Sequence, residues 1–332
     1  MLQALGRRAR RVGPLLVGLA AIGGIVLVIS PASLGRALSR FNLAFVPAIL
    51  LLWVAFYLLQ GVRWHFLLRE IGARLSVRET VLLNMAGQTI TALLPLGDLT
   101  RAVLVSEVRE VPFGAVVATV TVQELTYTLF LILLAGPGVL EAGHGTGVLV
   151  LVLAFMVAVF VILTVPPVFH AVHGLVMRIP LLRRFVRQIE QLQHETVTLL
   201  HRPDTFGWSI LDLARAAAAV AAFWLIVEGM SPGTLGWWKA ACVLTVANVG
   251  GAISLVPGGI GANEAGVAGL LVLFGVDPGT AGAAALLQRG FASGTAAGFG
   301  LLAFVLVRRR FQVRLRLLPS APEPARSFRS GT

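Results

Sequence analysis

Long apolar stretches with almost no charged residue recur along this chain from near its start to near its end. Several of them reach about 20 residues, the length that an α-helix needs to cross a hydrocarbon core of about 30 Å. A soluble domain of 332 residues needs a charged surface, yet 57% of this chain is apolar, 13% is charged and its mean hydropathy is +0.87. The sequence therefore predicts an all-α, polytopic helix bundle that is integral to a membrane.

The apolar stretches predict about eight transmembrane helices. We place these spans near 12–30, 43–61, 113–135, 147–169, 207–230, 237–256, 260–276 and 280–307. The first follows four Arg residues, so a signal peptide is the alternative interpretation. Because no A-x-A-like cleavage site stands out and many spans follow, we interpret it as a span.

The region 79–112 differs from these spans. It is apolar at its start, but Pro95, Gly97, Asp98 and Arg101 interrupt it. Broken backbone at membrane depth is tolerated only where protein or a water-filled cavity surrounds it. We therefore predict a re-entrant helix pair near 79–112.

The distribution of Arg residues predicts the orientation. With the N-terminus in the cytoplasm, the inner segments 1–11, 62–78, 170–205 and 308–332 hold 20 Arg, and the outer loops hold only Arg36 and Arg40. This positive-inside bias supports eight spans with both termini in the cytoplasm. It also explains the net charge of +12 without a nucleic-acid partner.

Two segments lie outside the predicted spans. The 170–205 loop has apolar residues at helical spacing with Arg residues between them, which fits either an interfacial helix on anionic lipid or a helix packed on the bundle. The tail is basic and then rich in Pro and Ser. We therefore assign 1–308 to a membrane domain and 309–332 to a basic, disordered cytoplasmic tail.

A first candidate site lies in the broken segment around Asp98 and Arg101. The two residues are three apart, so in a helix they lie on one face and can neutralise each other. A self-paired couple that closes a re-entrant turn is one interpretation. In the other, Arg101 engages a lipid phosphate while Asp98 orients it, because guanidinium matches phosphate bidentately.

A second candidate site lies in the stretch PGGIGANEAG at 257–266. Its Pro and Gly residues, including Gly258 and Gly259, end one helix, and Gly261 opens the next. Free N–H groups at a helix start favour negative charge, so Glu264 in the first turn can simply stabilise the helix end. Alternatively, Glu264 fills an anion site and pairs with Arg289 of the next span or with an amine headgroup.

Other polar residues fall within apolar spans. Asp212 and Arg215 are three apart, which favours a structural pair. Glu124 and Arg289 have no partner nearby in sequence, so we expect them in a shared polar cavity. Interrupted apolar segments in both halves of a chain are typical of a transporter's binding site, although no sequence repeat is visible and an inverted repeat stays a hypothesis.

Motifs of known enzyme classes are missing from the sequence. It contains neither HExxH nor GxSxG, and its single Cys242 leaves no cysteine-based metal site. His170 and His173 form an HxxH that fits a membrane interface better than a metal site. We therefore expect no enzyme activity, no cofactor and no metal.

These motifs together resemble the flippase-like transmembrane domain of lysylphosphatidylglycerol synthases and their stand-alone relatives. The matching residues are Arg63-Trp64, PLGDLTR at 95–101, PGGIGANEA at 257–265 and LLQR at 286–289. The chain departs from the family at Asp98, where Glu is usual, and at Thr91, where Asn is often found. The resemblance covers roughly residues 10–308.

The resemblance implies a multi-pass protein of the bacterial inner membrane that moves or handles phospholipids. We therefore predict a lipid flippase or transporter whose partners are membrane lipids with anionic phospholipid headgroups, with Glu264 and Asp98 as candidate proton carriers. The alternative is a non-transporting subunit that presents lipid to a separate transferase. The predicted substrate-binding residues are Asp98, Arg101, Glu124, Gly258, Gly259, Gly261, Glu264 and Arg289.

Overall fold

The computed structural model describes residues 31–93, 99–109, 111–141, 186–200, 202–254 and 259–311, together with scattered positions between 154 and 174. The predicted spans near 12–30 and 147–169, and the predicted tail, therefore lie wholly or largely outside the described residues. All the regular secondary structure in the described part is helical. The predicted all-α class is thus confirmed.

Eleven α-helices make up the described part. They are α1 (Pro31–Ser39), α2 (Val46–Glu70), α3 (Val77–Leu93), α4 (Leu99–Arg109), α5 (Phe113–Glu141), α6 (Val186–Leu200), α7 (Pro203–Gly207), α8 (Ile210–Glu228), α9 (Trp237–Ile253), α10 (Ala262–Leu273) and α11 (Pro278–Phe311).

Four described segments are long and apolar enough to cross a membrane. They are Leu43–Glu70, Phe113–Glu141, Pro203–Glu228 and Pro278–Val307, which match four of the predicted spans. Their outer faces expose large apolar side chains such as Leu51, Leu133 and Leu302. Such faces are suited to contact with lipid tails, as expected of a multi-pass membrane protein.

The described bundle has two halves, α2–α5 and α8–α11, and each half contains a hairpin of two shorter helices between two long ones. The α3–α4 hairpin is antiparallel, because Arg109 at the end of α4 lies 3.3 Å from Glu79 near the start of α3. The α9–α10 hairpin is also antiparallel, since Asn263 donates a hydrogen bond of 2.8 Å to Asn248. The helix pair predicted in 79–112 is therefore present as α3 and α4.

The second hairpin changes the interpretation of the apolar stretches 237–256 and 260–276. We predicted two crossing spans there, but α10 has only 12 residues. A helix of that length rises about 18 Å, which is shorter than a hydrocarbon core of about 30 Å. Hydropathy alone could not separate a short hairpin helix from a span, since both are apolar.

The packing of the described helices is the same in the two halves, with each helix of one half taking the place of a corresponding helix of the other. Helix α3 packs on α11, and α9 correspondingly packs on α5, while α2 and α8 pack on each other. Helices α1 and α6, which precede the two halves, pack on α11 and α5. Every major contact in one half thus has a counterpart in the other.

The exchange inverts the direction of the helices. Arg63 near the end of α2 pairs with Asp212 near the start of α8. At the other end, the N–H of Asn42, just before α2, donates to the carbonyl of Gly229, just after α8. Because α2 and α8 are antiparallel, the two-fold axis that relates them is perpendicular to the long helices, which is the arrangement of an inverted repeat.

Candidate functional site

A carboxylate from the first half lies at the centre of the bundle between two guanidinium groups. Glu124 of α5 accepts a hydrogen bond of 2.9 Å from Arg101 of α4. Arg215 of α8 donates to both carboxylate oxygens of Glu124, over 3.2 Å each. Gln60 of α2 adds a contact of 3.4 Å to Oε1. Glu124 thereby joins the two halves of the protein.

Arg101 is held in place by further polar groups. Its Nη1 donates to Asn84 Oδ1 over 3.0 Å and to Gln123 Oε1 over 2.8 Å. Its backbone lies close to Gly87 of α3, where a Cβ would stand 2.6 Å from Arg101 Cβ. Arg101 is completely buried, so the predicted contact of this residue with a lipid phosphate does not fit its position. Its observed contacts position Glu124 instead.

Aromatic rings hold the second guanidinium. The Arg215 guanidinium carbon lies 4.1 Å from the ring centroid of Tyr127 and 4.5 Å from that of Phe56. Both distances are typical of cation–π interactions, which are strongest where water is excluded. The rings therefore fix the direction in which Arg215 meets Glu124.

Asp212 does not form the local ion pair that its spacing suggested. Its Oδ2 accepts hydrogen bonds from Arg63 Nε of α2 over 3.0 Å and from the Thr126 hydroxyl over 2.6 Å. Arg63 also donates to the Thr205 carbonyl over 2.9 Å. The hydrogen-bonded partner of Asp212 is thus Arg63 rather than Arg215, and the pair ties α2 to α8.

The second broken segment leads into α10 as its glycines predicted. Gly259 and Gly261 have φ angles of +60° and +84°, which side chains other than glycine rarely adopt. The N–H of Gly261 donates to Glu264 Oε2 over 2.6 Å, so the carboxylate caps the helix start. Glu264 Oε1 lies 3.4 Å from Arg289 Nε of α11, which is the predicted ion pair.

A cavity of about 780 Å³ lies between the two halves. Its size falls within the range of about 300–1,000 Å³ that is usual for small-ligand sites. The described side chains that line it include Glu124, Arg215 and Arg289, the amides of Gln60, Gln88, Asn248, Asn263 and Gln288, and the aromatic rings of Trp53, Phe56, Tyr57 and Tyr127. Both halves therefore contribute charged side chains to one cavity inside an apolar bundle.

The predicted site residues divide into three groups. Glu124, Arg289 and Gly259 line the cavity, and of these we expected Glu124 and Arg289 in a shared polar cavity. Arg101, Gly261 and Glu264 are not among the lining residues and contact the site through the ion pairs described above. Asp98 and Gly258 lie outside the described residues. The HxxH of His170 and His173 also lies outside them, and the described residues hold no cluster of three or more potential metal ligands.

Sequence reasoning missed several residues of the site, namely Gln60, Asn84, Asn263 and the aromatic rings around Arg215. The side chains of Gln60 and Asn84 are polar and sit within apolar helices, and that signal was available. The rings carried no such signal, because aromatic residues are common in any membrane helix.

The charged residues occupy equivalent positions in the two halves. Glu124 and Arg289 are each the twelfth residue of their long helices, α5 and α11. Arg101 and Glu264 are each the third residue of their hairpin helices, α4 and α10. Each half therefore builds one ion pair between the same two positions, and the signs are exchanged.

Two comparisons with known proteins bear on the chain. A family model described as "Lysylphosphatidylglycerol synthase TM region" matches residues 15–300, while no curated protein matches the chain at a significant level. The match extends over most of the chain and includes both hairpins and the cavity between the two halves. The chain therefore belongs to the family of the lysylphosphatidylglycerol synthase transmembrane region.

Proposed function

We propose that this protein is a lipid transporter that moves a phospholipid headgroup across the membrane through the cavity between its two halves. Membership of a family concerned with lipid handling supports this proposal. The observation that carries it is the cavity itself, because ionised side chains inside a membrane bundle are costly and are characteristic of a substrate path. In this proposal the acyl chains stay against the apolar outer faces of the helices.

Arg289 is the residue that meets the lipid phosphate. Its side chain is one-third exposed, and its ion pair with Glu264 is long, at 3.4 Å. A phosphate oxygen can take the place of this carboxylate, since guanidinium groups bind both anions in the same geometry. Glu264 keeps its hydrogen bond to the Gly261 N–H during the exchange, so one of its two carboxylate oxygens stays hydrogen-bonded when the cargo arrives.

The first half keeps a fixed charge at the cavity wall. Arg101 and Arg215 both bind Glu124, so this carboxylate is compensated without the cargo. We therefore assign Arg101 a positioning role. No nucleotide-binding motif occurs in the sequence, and the proposed transport runs down the lipid's gradient or is coupled to an ion gradient.

We further propose that the protein lies in the bacterial inner membrane with both termini in the cytoplasm. The Arg bias toward one set of predicted loops supports this orientation, with 20 of the Arg residues in the segments 1–11, 62–78, 170–205 and 308–332. Hairpin α9–α10 does not alter the orientation, because a pair of crossings and a re-entrant hairpin both return the chain to the same side.

Reconstitution into proteoliposomes tests the transport function. Fluorescent phosphatidylglycerol in the inner leaflet is expected to become accessible to an external quencher at a rate proportional to the protein content. Arg289→Gln should slow this rate about tenfold or more, because it removes a charge-assisted hydrogen bond to phosphate. Arg202→Gln is the matched control, since Arg202 binds Glu70 at the surface, away from the cavity.

Two results would contradict the proposal. One is an Arg289→Gln variant that transports at the wild-type rate. The other is no transport of any lipid by the folded wild-type protein. In the second case, co-purification of a transferase in a fixed ratio would favour the alternative function, in which the protein presents lipid to that enzyme.

A further inference from the structure

The cavity presents two accessible charges of opposite sign. The Glu124 side chain is 30% exposed and the Arg289 side chain is 32% exposed, whereas those of Arg101, Arg215 and Glu264 are at most 4% exposed. Glu124 and Arg289 come from equivalent positions of the two halves. A headgroup in the cavity therefore meets a hydrogen-bond acceptor from one half and a cationic donor from the other.

Three further polar atoms on cavity-lining side chains have no hydrogen-bond partner among the contacts that the structure describes. Two are donors, Trp53 Nε1 and Arg215 Nε, and one is an acceptor, Gln288 Oε1. All three residues are more than nine-tenths buried. Buried polar atoms are nearly always paired, so unpaired ones on side chains around one cavity are candidates for contact with a ligand.

The donors and acceptors select different parts of a headgroup. Trp53, Arg215 and Arg289 offer N–H groups, which suit the oxygens of a phosphodiester. Gln288 Oε1 and the carboxylate of Glu124 accept hydrogen bonds, so they suit an N–H or O–H group on the same headgroup. Oε2 of Glu124 receives a single hydrogen bond, from Arg215, in the described part, and a carboxylate oxygen can accept more than one.

The charge of Glu124 is already offset by two guanidinium groups. A cationic headgroup therefore gains little from charge alone, and a neutral hydroxyl can serve as well as an ammonium group. We propose that the cavity selects phospholipids whose headgroup carries at least one N–H or O–H donor, and that it rejects headgroups with a phosphate but no donor. This inference rests on the proposed lipid-transport function and names the substrate class.

An N-methylation series tests the donor requirement at constant headgroup charge. Purified full-length protein in detergent is titrated with short-chain phosphatidylethanolamine, its N,N-dimethyl derivative and phosphatidylcholine, and binding is measured by the rise in Tm. The dimethyl lipid keeps one N–H, so it should bind within about threefold of phosphatidylethanolamine. Phosphatidylcholine should bind about tenfold more weakly, because it leaves both acceptors unpaired. Phosphatidylglycerol, which has hydroxyl donors, should bind like phosphatidylethanolamine.

Two variants on α11 make the test specific. Gln288→Met keeps the shape of the side chain but removes the acceptor, and it should reduce the difference between phosphatidylethanolamine and phosphatidylcholine to about threefold. Thr295→Val is the matched control. Thr295 also has a buried, unpartnered hydroxyl, but it does not line the cavity, so the difference should persist at about tenfold.

Two outcomes would overturn the inference. If affinity falls by equal steps with each methyl group, headgroup size and not donor content sets the selectivity. If Gln288→Met keeps the full difference, the acceptor is not part of the site. Binding is measured without transport, so an absence of lipid flux in proteoliposomes would contradict the proposed function and leave this selectivity to be judged on its own result.

Discussion

At the scale of single residues, burial separates the ionised groups that support the site from those that can touch a ligand. Arg63 and Asp212 are almost completely buried and bind each other, Thr126 and the Thr205 carbonyl. Both side chains of this pair are shielded from solvent. Removing one of them therefore leaves the charge of the other buried and uncompensated. Its contribution to stability is thus best tested by comparing single and double substitutions.

We expect Asp212→Ala to destabilise the protein by about 3–5 kcal/mol, because Arg63 then stays buried without a counter-ion. The double variant Arg63→Met/Asp212→Leu should recover at least half of this loss, since an apolar pair fills the space without a charge. Denaturation in detergent monitored by circular dichroism gives both values.

The control is Arg202→Ala, which breaks the ion pair with Glu70. The Arg202 side chain is 46% exposed, and the change should stay within about 1 kcal/mol. Equal losses for Asp212→Ala and Arg202→Ala would show that burial of the Arg63–Asp212 pair has no energetic consequence.

Residue-level prediction from the sequence worked where the determinant is local. The glycines and Glu264 of PGGIGANEAG specify a helix start, and the structure has a capped helix start there. Prediction was wrong where the partner is distant. The spacing of Asp212 and Arg215 suggested a local pair, but Arg63, 149 residues from Asp212, takes that place. A three-residue spacing describes one helix and cannot show which other helix packs against it.

At the scale of elements, the two hairpins position the charged groups, and close packing within each hairpin determines where those groups lie. The α3–α4 hairpin depends on Gly87, because Arg101 approaches it backbone to backbone. The sequence indicated a broken helix pair in this region through Pro95 and Gly97. It could not indicate Gly87 as the contact point, since glycine within an apolar helix has many roles.

We expect Gly87→Ala to separate α3 from α4 and to lower the free energy of unfolding by about 1–3 kcal/mol. The added Cβ would stand 2.6 Å from Arg101 Cβ and 2.8 Å from its Cα, and these backbone-linked atoms cannot rotate away. The same shift moves Arg101 relative to Glu124, so transport should fall as well.

Gly298→Ala is the control for helix propensity. Gly298 lies inside α11, and a Cβ there meets nothing within 4 Å. Alanine favours a helix by up to about 1 kcal/mol over glycine, so this variant should be as stable as wild type or more stable. A Gly87→Ala variant with the same behaviour would contradict the described contact.

At the scale of the whole molecule, an apolar exterior surrounds a cavity that is lined in part by charged side chains. Leu133 is exposed on the outer face of α5, and Thr128 on the same helix lines the cavity. Composition predicted the exterior, because a chain with so few charges needs a lipid environment. The position of the cavity follows from the packing of two inverted halves, which no repeat in the sequence revealed.

Thiol labelling in proteoliposomes is expected to distinguish the two surfaces. In a Cys242→Ala background, Thr128→Cys should react with a water-soluble maleimide, because water in the cavity allows a thiolate to form. Leu133→Cys should react at least about tenfold more slowly, since a thiol in hydrocarbon stays protonated. Cys242 is buried and free, so its removal clears the background. Similar labelling rates at the two positions would contradict a hydrated cavity within a lipid-facing bundle.

The exchange of signs between Glu124 and Arg289 has a consequence for how such a protein can be assembled. Two copies of the first half, paired head to tail, would bring two carboxylates to one chamber, and two copies of the second half would bring two guanidinium groups. Each of these groups keeps the partner of its own half, Arg101 or Glu264, but either homodimer would expose groups of one sign only. The two halves are therefore complementary rather than interchangeable, because a cavity with one accessible charge of each sign needs one copy of each half.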